Sequence, residues 1–383
     1  MAEESSNMND ILESEISEMV TTRYNVVTGM VEYSEDEGKS FQAMTDYVER
    51  SLLRSLKGNG HKIGVNSVRD TLNSDFSTPY HPFTDYFESL TKWDGQTNYI
   101  EQYSGLVGVE NAKYWVEWLT KWTVGLVAGS INAKIVNHQI LVLTGSQGVG
   151  KTTWLENLVP TTLSKYSNTG CLNPESKDAL IQASECLLVN MDELASLKPK
   201  SLEGLKQLVT QTKIRVRKPY GFNPENLEKR ASFCGSTNEE QFLIDTTGNR
   251  RFICFKVKDI DLENLHTVNI DDVYSQAYTM YKEGFQYWFD KKENKLIEEN
   301  NTDYIIRSTE EEAIMERYEP CNRDDTGVNI FKWTASQVMI SLSSMGYIPN
   351  NTTVAQRVGK ALNRLGFFKY KSNGRTLYVV KIK

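Results

Sequence analysis

Residues 145–152 read Gly-Ser-Gln-Gly-Val-Gly-Lys-Thr. A glycine-rich loop of this form works only between a strand and a helix, so it constrains the fold more than any other stretch. Both neighbours are present. Ile140 to Leu143 is an unbroken apolar run that reads as a buried strand, and Thr152 to about Leu158 reads as a short helix stopped by Pro160. The glycines let backbone N–H groups close around phosphates, Lys151 can reach the outer phosphates, and the Thr152 hydroxyl can ligate Mg²⁺. The expected nucleotide contacts are therefore Gly145, Ser146, Gln147, Gly148, Val149, Gly150, Lys151, Thr152 and Thr153. From Ile140 onward strands and helices alternate, which favours an α/β domain on a mostly parallel sheet.

A second apolar run, Cys186 to Val189, leads into Asn190-Met191-Asp192-Glu193. A strand there delivers two carboxylates to its carboxyl end, where α/β sheets bind ligands. Asp192 is the expected Mg²⁺ partner with Thr152. Glu193 is the expected base that orients and activates water. A third strand ends in Gly235-Ser236-Thr237-Asn238, and Asn238 would sit beside the outermost phosphate. Gly248-Asn249-Arg250-Arg251-Phe252 follows. Either arginine can serve as a finger that stabilises charge on a transferring phosphoryl group. Either can instead form a salt bridge to the core.

Between these lies a cationic stretch. Lys213, Arg215 and Arg217 alternate with Ile214 and Val216, so three cations share one face of a strand, and Lys218-Pro219-Tyr220-Gly221 makes a turn. Such a hairpin can track a phosphate backbone, or it can be an edge strand guarded by charge. Lys218 is the expected tip residue.

The chain carries −7 overall, yet from Thr326 to Lys383 it has nine basic residues and no acidic one. That segment is +9 and the remainder −16, a split that favours a nucleic-acid-binding tail on an acidic body. Residues 334–345 and 352–365 read as helices. Two strands, 367–370 and 377–382, flank Ser372-Asn373-Gly374, which completes a winged-helix pattern. Arg357, Lys360 and Arg364 on the second helix, with Arg375 in the wing, are the expected DNA contacts. Docking of a protein is the other use of such a module.

The first 108 residues read as mainly helical. Their opening is acidic, a short hairpin is expected at Tyr24 to Tyr33, and helices are expected over 40–57, 65–72 and 83–90. A longer helix from about Asn111 to Ile131 places Trp115, Leu119, Trp122 and Leu126 on the core side. The expected organisation is a mainly helical region 1–108, an ATPase domain 109–320 and a winged helix 326–383. No apolar run approaches the ~20 residues of a membrane span. The acidic N-terminus is unlike a secretory signal. Five scattered cysteines without CxxC pairing fit a reducing cytoplasm, in a bacterial or phage-infected cell. His61, His81, His138 and His266 stand alone and do not read as metal ligands.

The order of motifs resembles superfamily 3 helicases, a branch of the AAA+ ATPases, and more closely the virulence-associated protein E family. Lys92-Trp93-Asp94-Gly95, the glycine loop, Asn190 to Glu193, Arg217 to Tyr220, Gly235 to Asn238 and Thr247 to Phe252 carry the resemblance, over about residues 80–320. It implies an ATP- and Mg²⁺-dependent enzyme that unwinds or moves along DNA, for a phage or mobile element. It also implies a ring, usually a hexamer, with active sites between subunits. Lys151, Glu193 and Asn238 would act in one copy, and Arg250 or Arg251 would come from the next. The hairpin at Lys213 to Lys218 would contact DNA. Any primase would be a separate protein. A DNA-binding ATPase switch, without processive unwinding, uses the same residues.

Overall fold

The computed structural model describes residues 2–170, 172–217, 224–244 and 248–383, with side chains from Asn9 onward. The chain divides into two compact units, Met1–Glu240 with Thr246–Thr302, and Gln241–Asp245 with Asp303–Lys383.

The first unit opens with α1 (Ala2–Met19), β1 (Thr21–Asn25), β2 (Met30–Ser34), β3 (Gln42–Ala43), α2 (Asp46–Gly58), α3 (Val65–Leu72) and β4 (Thr78–Tyr80). The strands pair in the order β3-β2-β1-β4. The expected hairpin is present, with Tyr24 opposite Val31. The helix read as starting at residue 40 begins only at Asp46. Thr45 caps it by accepting from the Val48 N–H, and Gln42–Ala43 stay extended as an edge strand. Tyr47 on α2 is 80% exposed. The acidic start is a helix that buries Leu12 and Ile16 against Leu52, Leu56, Val68 and Leu72. The mainly helical reading therefore needs a correction, because these helices share their core with a four-stranded sheet.

Next come α4 (Pro82–Ser89), α5 (Tyr99–Gly105), β5 (Val107–Val109), α6 (Trp115–Ile131), β6 (Ile140–Thr144), α7 (Lys151–Glu156), β7 (Ser167–Thr169), α8 (Lys177–Glu185), β8 (Leu188–Met191) and α9 (Pro199–Leu208). The hairpin β9 (Lys213–Val216) and β10 (Glu225–Glu228) follows, then β11 (Ser232–Thr237), β12 (Phe252–Ile260), α10 (Ile270–Lys282) and α11 (Lys291–Asn300). Six strands form one sheet in the order β5-β12-β6-β11-β8-β7. All neighbours are parallel except β5, which runs against β12. β6 is apolar and buried along its whole length, as a central parallel strand must be.

Trp115, Leu119, Trp122 and Leu126 are buried as expected, and so are Trp118 and Val124, and from Lys121 to Ser130 α6 is enclosed on all sides. One continuous core gathers Val27 with residues from Phe83 to Ile297. It crosses the boundary expected at residue 108 because α4 and α5 pack into it. Phe87 stacks on Tyr278, and the Tyr103 hydroxyl donates to the Trp154 carbonyl. α10 stops at Lys282. The Phe285 N–H turns back to the Met280 carbonyl and closes the helix end.

The second unit holds α12 (Thr309–Arg317), β13 (Tyr318–Pro320), β14 (Ile330–Trp333), α13 (Ala335–Ser344), α14 (Thr352–Arg364), β15 (Lys369–Ser372) and β16 (Arg375–Ile382). β16 pairs with β13, β14 and β15. Ile314 and Tyr318 share a core with Val338, Leu342, Val358 and Leu362. α12 and β13 thus belong here, and the boundary expected near residue 320 falls inside this unit.

Candidate functional site

The carboxyl ends of β6, β8 and β11 converge on a cleft of about 360 Å³. The loop after β6 forms one wall. Gly150 has φ of 94°, so conformation requires glycine there, and an added side chain would also press on the Leu262 methyl at 2.7 Å. Lys151 is buried at the start of α7. Its Nζ donates to the carbonyls of Gly145 and Ser146, both at 2.8 Å, and to Asn238 Oδ1 at 3.0 Å. Three neutral oxygens thus surround an ammonium where phosphate oxygens would be stronger partners. Burial pushes the Lys151 pKa down, and the Asp192 charge pulls it partly back.

The other wall is polar. Asp192 Oδ1 accepts from Ser236 Oγ at 2.7 Å and from Thr152 Oγ1 at 3.2 Å. The two hydroxyls are 3.3 Å apart. Oxygen donors on one carboxylate and two hydroxyls suit a hard divalent cation that keeps water and phosphate among its ligands. Among the described residues no cluster of three His, Cys, Asp or Glu is present. Glu193 is exposed and lines the cleft on a left-handed backbone, φ 52° and ψ 48°. A non-glycine residue held there costs on the order of 1 kcal/mol and is characteristic of functional sites. Gln147, Gly148 and Thr153 also line the cleft, whereas Val149 turns its side chain to the main core.

Ser236 was legible but unread. The period of two on β11 carries it to the same side as Asn238, and it ties Asp192 in place.

The arginine pair stands elsewhere. Arg250 and Arg251 precede β12, and β12 lies parallel to β6 with Phe252 beside Ile140. They therefore sit at the amino ends of the strands, whereas the cleft sits at the carboxyl ends. The length of β6 separates them, roughly 15 Å at about 3.3 Å per residue. Both line a different cavity, of about 480 Å³, with His138, Thr210, Trp288 and Lys291. Arg250 is exposed. Arg251 is half-buried, its Nε has no hydrogen-bond partner, and a side chain on Gly248 (φ 77°) would strike it at 2.7 Å. Neither arginine makes an ion pair among the described residues, so the core salt bridge considered for them is not found.

The virulence-associated protein E-like domain profile matches residues 87–306. The chain belongs to the virulence-associated protein E-like family. No curated protein sequence matches the chain. Among solved structures, the apo structure of the NrS-1 C-terminal region aligns with a TM-score of 0.55 and 10% identity, over 96% of this chain and 97% of that one. The A-form apo structure of the same region gives 0.53, 10%, 96% and 98%. These are likenesses of fold. A structure titled "SCCmec type IV Cch - active helicase" aligns more weakly, at 0.40 and 13% over 95% and 93%.

The VapE-like stretch contains every residue of the cleft and both arginines. It also contains the basic hairpin. Ile214 and Val216 are buried, and Lys213, Arg215 and Arg217 are exposed. Across the ladder Arg215 faces Asn226 and Lys213 faces Glu228. Glu228 pairs with Arg230. Lys218 lies outside the described residues. The Trp93-Asp94-Gly95 stretch is a turn fastening: Trp93 Nε1 donates to the Thr97 carbonyl, and Asp94 accepts from the N–H groups of Gln96 and Thr97.

Outside the VapE-like stretch, two expected DNA contacts are engaged. Arg357 pairs with Glu310 at 2.7 Å and Arg364 with Glu311 at 3.1 Å, and both carboxylates are buried. α14 presses against α12, and buried carboxylates require partners. Lys360 and Arg375 remain exposed, without an ion pair among the described residues.

Proposed function

We propose that this VapE-like chain is an ATP-driven DNA helicase or translocase of the AAA+ type, working as a ring in which each catalytic centre is shared by two copies. The observation that carries the reading is the division of one phosphoryl-transfer apparatus between opposite ends of one sheet. Lys151, Thr152, Asp192, Ser236 and Asn238 meet at the carboxyl end. The arginine pair stands at the amino end. An arginine about 15 Å away is too far to act in its own cleft, which supports its use in a neighbour's.

The chemistry follows from the side chains. Lys151 exchanges its three neutral oxygen partners for the β and γ phosphates. Thr152 and Asp192 would hold Mg²⁺, which neutralises developing phosphate charge. Ser236 keeps Asp192 oriented. Glu193 accepts the proton of the attacking water. Asn238, already bonded to Lys151, reads whether the γ phosphate is present. Arg250 of the adjacent copy stabilises charge on the transferring group, and Arg251 beneath it fixes the loop. The cationic face of β9 and the α14–wing module, read as a winged helix, would track DNA phosphates.

The decisive assay is strand displacement on a forked duplex with ATP. Wild-type protein is expected to displace the strand, and Lys151→Ala is expected to lose displacement and hydrolysis while keeping its circular dichroism. Displacement by Lys151→Ala at the wild-type rate contradicts the proposal. ATP-dependent DNA binding without displacement favours the switch reading instead.

A further inference from the structure

The cleft at the carboxyl ends lacks a wall that nucleotide sites ordinarily have. Its lining is glycine, hydroxyl, amide and charge, and Leu262 is the one large apolar side chain among the described residues there. Nucleobases are bound by stacking on aromatic or apolar surfaces. Phosphate groups are provided for in this cleft, but none of the described residues lining it is aromatic.

The cavity at the amino ends has the opposite character. Trp288 stands on it at 54% exposure and is the most exposed of the seven tryptophans. The side chain is held ready. Tyr287 packs edge-on against it at 5.3 Å, Phe289 beside it is buried against Trp118, and Gln286 Nε2 donates to the Trp288 carbonyl. Among the described residues no carboxylate lines this cavity, whereas Arg250, Arg251 and Lys291 do. The Arg251 Nε is buried without a partner. A rigid aromatic platform beside unpaired cations is the footprint of a nucleotide, base and phosphate together. The chain's own nucleotide is at the other end of the sheet.

We propose that Trp288 is the base platform of the neighbouring copy's nucleotide site, stacking on the base while Arg250 faces the phosphates. This rests on the shared-centre reading above and adds to it a residue that sets affinity for the base. The ligand class is a nucleoside triphosphate bound at the seam between two copies, and the missing wall of one copy's cleft is the exposed tryptophan of the next.

The test is ATP turnover by the assembled protein, with inorganic tripolyphosphate as a competitor that has no base. Trp288→Ala is expected to raise KM for ATP about tenfold, within the range one base–aromatic stack contributes. The inhibition constant of tripolyphosphate should stay at the wild-type value, and Trp288→Phe should restore KM. Mixing Trp288→Ala with Lys151→Ala creates seams in which an intact cleft meets an intact tryptophan, so turnover with the wild-type KM should return. Energy transfer from tryptophan to a methylanthraniloyl-labelled ATP gives a second readout that needs no turnover. It should be strong in wild type and clearly reduced in Trp288→Phe, the remainder coming from the other tryptophans, Trp154 on α7 among them. An unchanged KM in Trp288→Ala, or undiminished energy transfer in Trp288→Phe, overturns the proposal. So does a raised KM that persists in the mixture, because the tryptophan would then act within its own copy. If Arg250→Ala is rescued by Lys151→Ala while Trp288→Ala changes nothing, the shared centre stands and only this inference fails.

Discussion

Ser236 and Lys229 illustrate how single side chains carry the account. Ser236 donates to Asp192 at 2.7 Å, and among the described residues no hydrogen bond joins it to Lys151 or Asn238. Its loss should act through the carboxylate it orients. Ser236→Ala is expected to lower Mg²⁺-dependent turnover by about 10- to 100-fold, the usual effect of removing a partner behind a metal ligand, and raised Mg²⁺ should recover part of it. Titration of activity with Mg²⁺ checks this, and a loss that Mg²⁺ leaves untouched argues against the role. Lys229 is fully buried, donates to the Asn137 carbonyl, and has its pKa lowered to about 7 by burial. Between pH 7 and 10.5 the unfolded chain holds a proton that the folded chain does not, so stability rises with pH across that window. Lys229→Met removes the effect. Its thermal midpoint should exceed wild type by several degrees at pH 7, with the gap narrowing toward pH 10, as scanning calorimetry over that range would show. A gap independent of pH contradicts the assignment. The residues that bind phosphate were legible because backbone chemistry dictates glycine and lysine at fixed spacing. Ser236 was passed over because a hydroxyl at a strand end has many uses, and only the Asp192 contact reveals which one applies.

At the scale of elements, the basic hairpin and α14 were read alike from sequence and differ in the structure. Alternation on β9 fixes the outcome: two buried apolar residues force Lys213, Arg215 and Arg217 outward. Replacing these three with alanine should weaken DNA binding and flatten its salt dependence, since each cation withdrawn from a phosphate lowers the slope by about one. Binding isotherms at several salt concentrations measure it, and an unchanged slope removes the hairpin from the interface. On α14 the spacing of Arg357, Lys360 and Arg364 is equally regular, yet two of the three neutralise carboxylates on α12. Helix periodicity says which residues share a face and not what that face meets, so this could not be read in advance. Arg364→Ala is expected to destabilise the second unit by about 2 kcal/mol, near the low end for a broken buried pair because Arg364 is 32% exposed. Lys360→Ala should leave stability alone and weaken DNA binding slightly. Denaturant titration beside a binding assay separates the two, and equal loss of DNA affinity from both variants returns Arg364 to the interface.

For the whole molecule, the cores explain the divisions better than composition does. The family match at 87–306 follows the continuous core from Phe83 to Ile297. The charge break at Asp325 suggested a later start for the C-terminal unit than the core allows, since Ile314 and Tyr318 are already part of it. The parallel sheet was legible from alternating strands and helices. The antiparallel β5 and the outer strands β3 and β4 of the N-terminal sheet were not, because strands of three or fewer residues leave no period to read. The central claim is that one nucleotide is cleaved by groups from two copies. Mixing Lys151→Ala with Arg250→Ala tests it most directly, because each variant alone spoils every seam and the mixture creates seams with an intact cleft facing an intact arginine. The account predicts that both variants are inactive alone and that ATP turnover returns on mixing. An inactive mixture, or an Arg250→Ala protein that hydrolyses ATP at the wild-type rate, would contradict it.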